Sequence, residues 1–198
     1  MNTRETPEEL YGRQWSFRMA DEYTTMMKSR SRYSDTDIAR LPKAEFDQAC
    51  MWDAARGENL ILCGPTGTGK TRIAGILVKR WMTQNGYRCR WIPETEMAIE
   101  VGDKAMHGKV GDYLDPLCSC AILFIDDLGK APPTERFVSS LYHIVESRHA
   151  AKKPIICTTQ LTAEELKAKL GSRDQSESHA LAIFRRLSEE AMVIKISK

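Results

Sequence analysis

The eight residues GPTGTGKT, from Gly64 to Thr71, have the types and spacing needed to hold a chain of phosphates. They satisfy G-x-x-x-x-G-K-[ST] in full. Gly64, Gly67 and Gly69 allow turns that a Cβ would block, so backbone N–H groups can converge on one anion. Pro65, Thr66 and Thr68 complete the loop, and the helix that follows adds its positive N-terminal end. Lys70 can reach the β- and γ-phosphates, the Thr71 hydroxyl is placed for Mg²⁺, and Arg72 lies in the next turn. The chemistry implied is capture of a nucleoside triphosphate, ATP with Mg²⁺.

A second stretch, AILFIDDLGK, supplies acids. Five apolar residues predict a buried strand that delivers Asp126 and Asp127 to the edge where the phosphate loop lies. Asp126 is the expected Mg²⁺ partner opposite Thr71, and Asp127 is placed to polarise an attacking water. PIICTTQL predicts another strand that brings Thr158, Thr159 and Gln160 to the same edge. A polar side chain there either orients water or simply ends the strand. Near the C-terminus, Arg185 and Arg186 read as solvated charges or as an arginine that completes a neighbouring subunit's site.

These groups need a frame, and the pattern downstream of Gly57 provides one. Strands are predicted at Asn59–Cys63, Tyr87–Ile92, Ala121–Asp126, Pro154–Thr159 and Met192–Ile196. Amphipathic helices alternate with them: Ile73, Ile76, Leu77 and Trp81 share one face, as do Phe137, Leu141, Ile144 and Val145. Alternation of this kind predicts an α/β fold with a parallel sheet covered on both sides. The polar segment Gly171–His179 reads as a mobile loop.

The chain has 198 residues, 42% hydrophobic and 28% charged, which describes one soluble globular domain of ordinary size. A net charge of +2 does not by itself argue for nucleic acid. No apolar run is long enough to span a membrane, and the polar start does not resemble a secretory signal. The six cysteines lack metal-site spacing and read as reduced structural thiols in the cytoplasm. Residues 1–55 differ from the remainder, residues 56–198. Leu10, Tyr11, Trp15, Met19, Tyr23, Met26 and Met27 form a ragged apolar stripe, with Arg13, Arg18, Lys28, Arg30 and Arg32 among them. That pattern suits a helix packed on its own domain, a partner-docking arm, or a membrane-surface helix.

In order along the chain, GPTGTGKT, ILFIDDLGK, a helix ending in ESRHA, PIICTTQL and FRRL resemble the AAA+ ATPases of the DnaC/IstB group. The resemblance covers about Leu60 to Lys198. It implies a P-loop NTPase of AAA+ type, a three-layer αβα sandwich around a five-stranded parallel sheet; the residues themselves add a helical N-terminal arm and show no evident C-terminal lid. It also implies homo-oligomers that share ATP sites. Lys70, Thr71 and Asp126 keep their roles, and Asp127 matches the second acid. Gln160 takes the sensor position, usually Asn, and Arg186 the arginine-finger position. Glu94–Leu117 matches an insertion that binds single-stranded DNA, here through Lys104, His107 and Lys109, with Gly102, Gly108 and Gly111 making it pliable. The chain also stops before a further sensor arginine, so slow hydrolysis by the isolated protein is expected.

The reading favoured by this resemblance is a factor that binds single-stranded DNA and loads or recruits a hexameric replicative helicase. Its rival is an ATP-binding transposition protein that acts with a transposase on target DNA. A small-molecule P-loop kinase is a third reading, weakened by the paired aspartates.

Overall fold

Alternation within the strands sets the layers. In β3 (Ile122–Leu128), Ile122 and Phe124 join one apolar cluster while Leu123 and Ile125 join another on the opposite face. The period is two, as a strand buried on both faces requires. β1 (Asn59–Cys63) repeats it, with Leu60 and Leu62 on one side and Ile61 on the other.

The computed structural model describes residues 18–19, 21–33, 36–172 and 177–197. β2 (Cys89–Pro93), β4 (Ile155–Thr159) and β5 (Ala191–Lys195) complete a sheet of order β2-β3-β4-β1-β5. Every pairing is parallel. The five predicted strands are all present, with ends shifted by up to two residues. Helices cover both faces, giving the expected three-layer αβα sandwich around a five-stranded parallel sheet.

Helices α1 (Lys43–Cys50) and α2 (Lys70–Asn85) lie on one face. The other face carries α3 (Glu94–Met106), α4 (Val110–Ser119), α5 (Glu135–Ala150), α6 (Ala163–Leu170) and α7 (Glu177–Ser188). The predicted apolar stripes of α2 and α5 are the faces that pack. Thr162 and Glu165 form a reciprocal capping box at the start of α6. Of the predicted loop Gly171–His179, residues 173–176 lie outside the described residues. Glu177–His179 already belong to α7, contrary to expectation: the helix starts inside the polar run because Ala180, Ile183 and Leu187 are buried.

Packing runs across the expected boundary at residue 55. Met27, Leu41, Ala49 and Trp52 are buried in the same cluster as Ile73 and Leu77. Of the arm's apolar stripe, Met19 and Met27 are buried, while Leu10, Tyr11 and Trp15 lie outside the described residues. All six cysteines are free thiols, and burial pushes Cys157 up to about 12.

Candidate nucleotide site

β1 ends at Cys63, and the phosphate loop turns from it into α2. Gly64 takes φ 147°, and a Cβ there would collide with the Ile196 carbonyl oxygen. Gly69, at φ 92°, packs against Leu41. Lys70 is buried, and its Nζ donates to the carbonyl oxygens of Gly64 (2.7 Å) and Pro65 (2.6 Å). Burial lowers the Lys70 pKa, and the nearby charges of Asp127 and Asp126 oppose that shift.

A bulge in β3 presents the two acids. The β3–β4 register slips between Ile125 and Leu128, so three steps along β3 match two along β4. Asp127 takes φ 58°, a left-handed conformation that short acids tolerate better than most residues. Thr158 locks the bulge from β4. Its Oγ1 donates to Asp126 Oδ1 at 2.6 Å and accepts from the Asp127 N–H at 2.8 Å. Thr71 Oγ1 donates to the same Asp126 oxygen at 2.9 Å. Burial raises the Asp126 pKa, while the bonds from Thr158 and Thr71 hold it down.

Thr71 and Asp126 thus bring a hydroxyl and a carboxylate oxygen together, the hard-oxygen donor type that suits Mg²⁺ alongside phosphates and water. Among the described residues no group of three or more His, Cys, Asp or Glu could hold a metal ion, so a self-contained protein cage is absent. The donor set fits a metal that arrives with its nucleotide.

The loop, Asp127 and Gln160 line an open cleft of about 940 Å³ at the C-terminal edge of the sheet. Gln160 Oε1 accepts from Thr66 Oγ1 at 2.7 Å, directly over the loop. Tyr33, Asp37, Arg40, Leu41 and Pro42 form a further wall, and the Arg72 guanidinium lies 6.0 Å from the Tyr33 ring centroid. Sequence patterning missed this wall, because Leu41-Pro42 is an unremarkable pair until the fold places it against Gly69.

Lys130 is a further missed residue. Its Nζ lies 2.6 Å from Asp127 Oδ2, so the expected water-polarising acid is ion-paired. Glu94, fully buried at the start of α3, tethers the Lys130 backbone on both sides. Its Oε2 accepts from the N–H groups of Gly129 (2.9 Å) and Ala131 (2.6 Å). Burial raises the Glu94 pKa against the pull of those bonds.

Arg186 lies at the opposite edge. Asn59, the first residue of β1, donates to the Arg186 carbonyl at 3.1 Å. A five-residue strand spans about 16 Å, so Arg186 cannot serve its own chain's phosphate loop. The guanidinium is bidentate on Glu146, at 3.0 and 3.2 Å. It lines a cavity of about 210 Å³ with Arg56, His149 and Lys152. Arg185 is the more exposed neighbour, 3.9 Å from Glu189.

The expected DNA-binding insertion is the helical pair α3–α4. Lys104 lies 3.5 Å from Glu100, and His107 Nδ1 is 2.9 Å from the Asp103 carbonyl oxygen. Lys109 is exposed at the turn between the helices. Gly102 and Gly111 sit inside helices, and of the three insertion glycines only Gly108 takes positive φ, which limits the expected pliability to the turn. The segment carries Glu94, Glu96, Glu100, Asp103, Asp112 and Asp115 against Lys104 and Lys109. Glu94 is buried, so five of these acids stand around the two lysines at the segment's surface.

The IstB-like ATP binding protein model matches residues 33–198. An ATP-binding protein of an insertion sequence in Mycobacterium tuberculosis is 26% identical over 140 residues, 67% of this chain and 54% of its own length. The ATP-binding protein of insertion sequence IS21 from Pseudomonas aeruginosa is 27% identical over 104 residues, 52% and 38% respectively. The chain thus spans about half, or less, of the length of these relatives. Among solved structures, DnaI superposes with a TM-score of 0.63 at 20% identity, over 84% of this chain and 87% of that one. The DnaC helicase loader gives 0.61 at 21%, over 78% and 86%. These likenesses concern the fold. With the phosphate loop, paired acids and sheet order in place, the match across residues 33–198 settles membership: the chain belongs to the family of IstB-like ATP-binding proteins.

Proposed function

We propose that this protein is an ATP-driven switch that acts on DNA together with a larger protein machine. The observation that carries the reading is the convergence of Lys70, Thr71, Asp126 and Thr158 at one edge of a parallel sheet. The triphosphate lies along residues 64–71, and its nucleoside end lies toward Tyr33, Arg40 and Leu41. Thr71 and Asp126 would hold Mg²⁺, which when bound neutralises charge on the phosphates. Lys70 leaves its loop carbonyls for the β- and γ-phosphates. Asp127 orients water, with Gln160 beside it, and Arg186 of another copy completes the site. Hydrolysis by the isolated chain is slow, because Asp127 is ion-paired and Arg186 faces away from its own cleft.

The machine is a replicative helicase, loaded or recruited on single-stranded DNA contacted through Lys104, His107 and Lys109. Two relatives from insertion sequences support a second reading, action with a transposase on target DNA. The DnaC and DnaI likenesses do not choose between the two, since at 20–21% identity they speak to the fold alone.

Titration with a fluorescent ATP analogue tests the site. Lys70→Ala should lose most affinity, whereas Asp126→Asn should retain binding and lose Mg²⁺-dependent turnover. Wild-type affinity in Lys70→Ala rejects the site. Co-purification with a purified replicative helicase, against a purified transposase, decides the partner.

A further inference from the structure

The Asp127–Lys130 pair is more than a surface ion pair by position. Both residues line the cleft with the phosphate loop. Neither backbone is free to drift: the Asp127 N–H is tied to Thr158, and the amides on both sides of Lys130 are tied to buried Glu94. The Lys130 N–H also donates to the Asp127 carbonyl at 3.2 Å, closing the turn. What remains free is the lysine side chain, about half exposed. A flexible ammonium on a fixed base, beside a phosphate loop, has two possible anionic partners within one swing. One is the carboxylate it now touches. The other is the end of a bound triphosphate. The field of Lys130 already reaches Lys70, whose pKa it helps to lower.

We propose that Lys130 is a second phosphate-binding cation, which exchanges the Asp127 carboxylate for the terminal phosphate of a bound triphosphate. The proposal rests on the nucleotide-binding reading above and deepens it. The exchange does two things. It gives the cleft a contact that a triphosphate satisfies and a diphosphate does not. It also strips Asp127 of its counter-ion only when a terminal phosphate is present, so the acid becomes available to water at the time it is needed. While Lys130 Nζ donates to it, Asp127 Oδ2 is occupied and cannot turn to a water. Glu94 keeps the hinge of this exchange fixed. Because Glu94 is the first residue of α3, the same carboxylate joins the switching turn to the helical insertion.

The test uses the full chain and two probes, a non-hydrolysable ATP analogue and ADP, each competing with a fluorescent ADP. Lys130→Ala should weaken the ATP analogue by ~10-fold and ADP by under ~2-fold, the difference expected from one charge-assisted hydrogen bond. Lys130→Arg should restore most of the preference. Asp127→Asn should tighten the ATP analogue against ADP, because Lys130 no longer gives up an ion pair. Equal changes for both nucleotides in Lys130→Ala, or none, overturn the exchange and leave nucleotide binding standing. A wild-type chain that binds neither nucleotide overturns the underlying reading, and the proposal with it. If Lys130→Ala melts below the assay temperature, Asp127→Asn decides: an unchanged preference for the ATP analogue overturns the exchange.

Discussion

The Thr158 hydroxyl stands 2.6 Å from Asp126 Oδ1 and at the same time accepts the N–H of Asp127. One buried β4 side chain therefore sets both the orientation of the expected metal ligand and the bulge that carries the second acid. Thr158→Val keeps the shape and removes both bonds. It should cost about 1–3 kcal/mol, since the Asp127 N–H loses its acceptor and Asp126 loses a donor. Chemical denaturation measures the loss. Without that donor, less opposes the burial that raises the Asp126 pKa, so Mg²⁺-dependent turnover should also fall off at a higher pH than in wild type. A variant as stable as wild type would mean that water replaces the hydroxyl.

Buried Glu94 predicts a pH dependence of stability. Its folded pKa is raised above the ordinary 4.5, so the folded state binds a proton more readily than the unfolded chain. Its contribution is fully present below 4.5 and is lost as pH rises through the raised value. In Glu94→Gln that dependence disappears. The stability difference, wild type minus variant, should therefore grow as pH falls from about 7 to about 5. Asp126, also raised by burial, is common to both proteins and cancels. Urea denaturation at several pH values gives the curve; a difference that is flat or of opposite slope refutes the assignment.

Arg186 offers a complementation test. Arg186→Ala carries a sound Lys70 site, and Lys70→Ala carries a sound Arg186. Each alone should be inactive, for different reasons. Mixed, they form some interfaces with one intact site, and ATPase activity should exceed the sum of the separate proteins. Silence from mixed oligomers that are shown to form makes Arg186 the structural partner of Glu146 and nothing more.

Single-stranded DNA binding should fall with salt as counterions are released. Replacing Lys104 and Lys109 together should flatten the log–log slope by about one to two units. An unchanged slope moves the track off α3–α4.

Sequence reading succeeded where chemistry is local. The phosphate loop, the strand before it and the helix after it are contiguous, so the pattern contains the geometry. The central strands β3 and β4 were legible because burial on both faces leaves runs such as Ile122–Ile125 with nothing polar. Lys130 lies inside the quoted Asp-Asp-Leu-Gly-Lys run, yet its role depends on a positive φ at Asp127 that no pattern announces. Glu94 was hidden more deeply. It reads as an ordinary helix-opening acid, and only the fold brings it to amides 35 and 37 residues downstream. The end of the expected loop Gly171–His179 failed for the opposite reason, because tertiary burial of α7 overrides a polar composition.

The collision that forbids a side chain on Gly64 has a consequence for synthesis. The atom in the way belongs to Ile196, whose N–H donates to the Cys63 carbonyl at 2.8 Å beside the loop. Cys63 also bonds to the Ile194 carbonyl, across 131 positions of sequence. A nascent chain that has left the ribosome as far as α2 carries every letter of the phosphate motif but not the strand that clamps its first glycine. Nucleotide capture should therefore wait until β5 and Ile196 have emerged and joined the sheet beside β1. Ribosome-bound intermediates stalled before and after Ala191–Lys195 would differ in nucleotide retention, although both contain the complete motif.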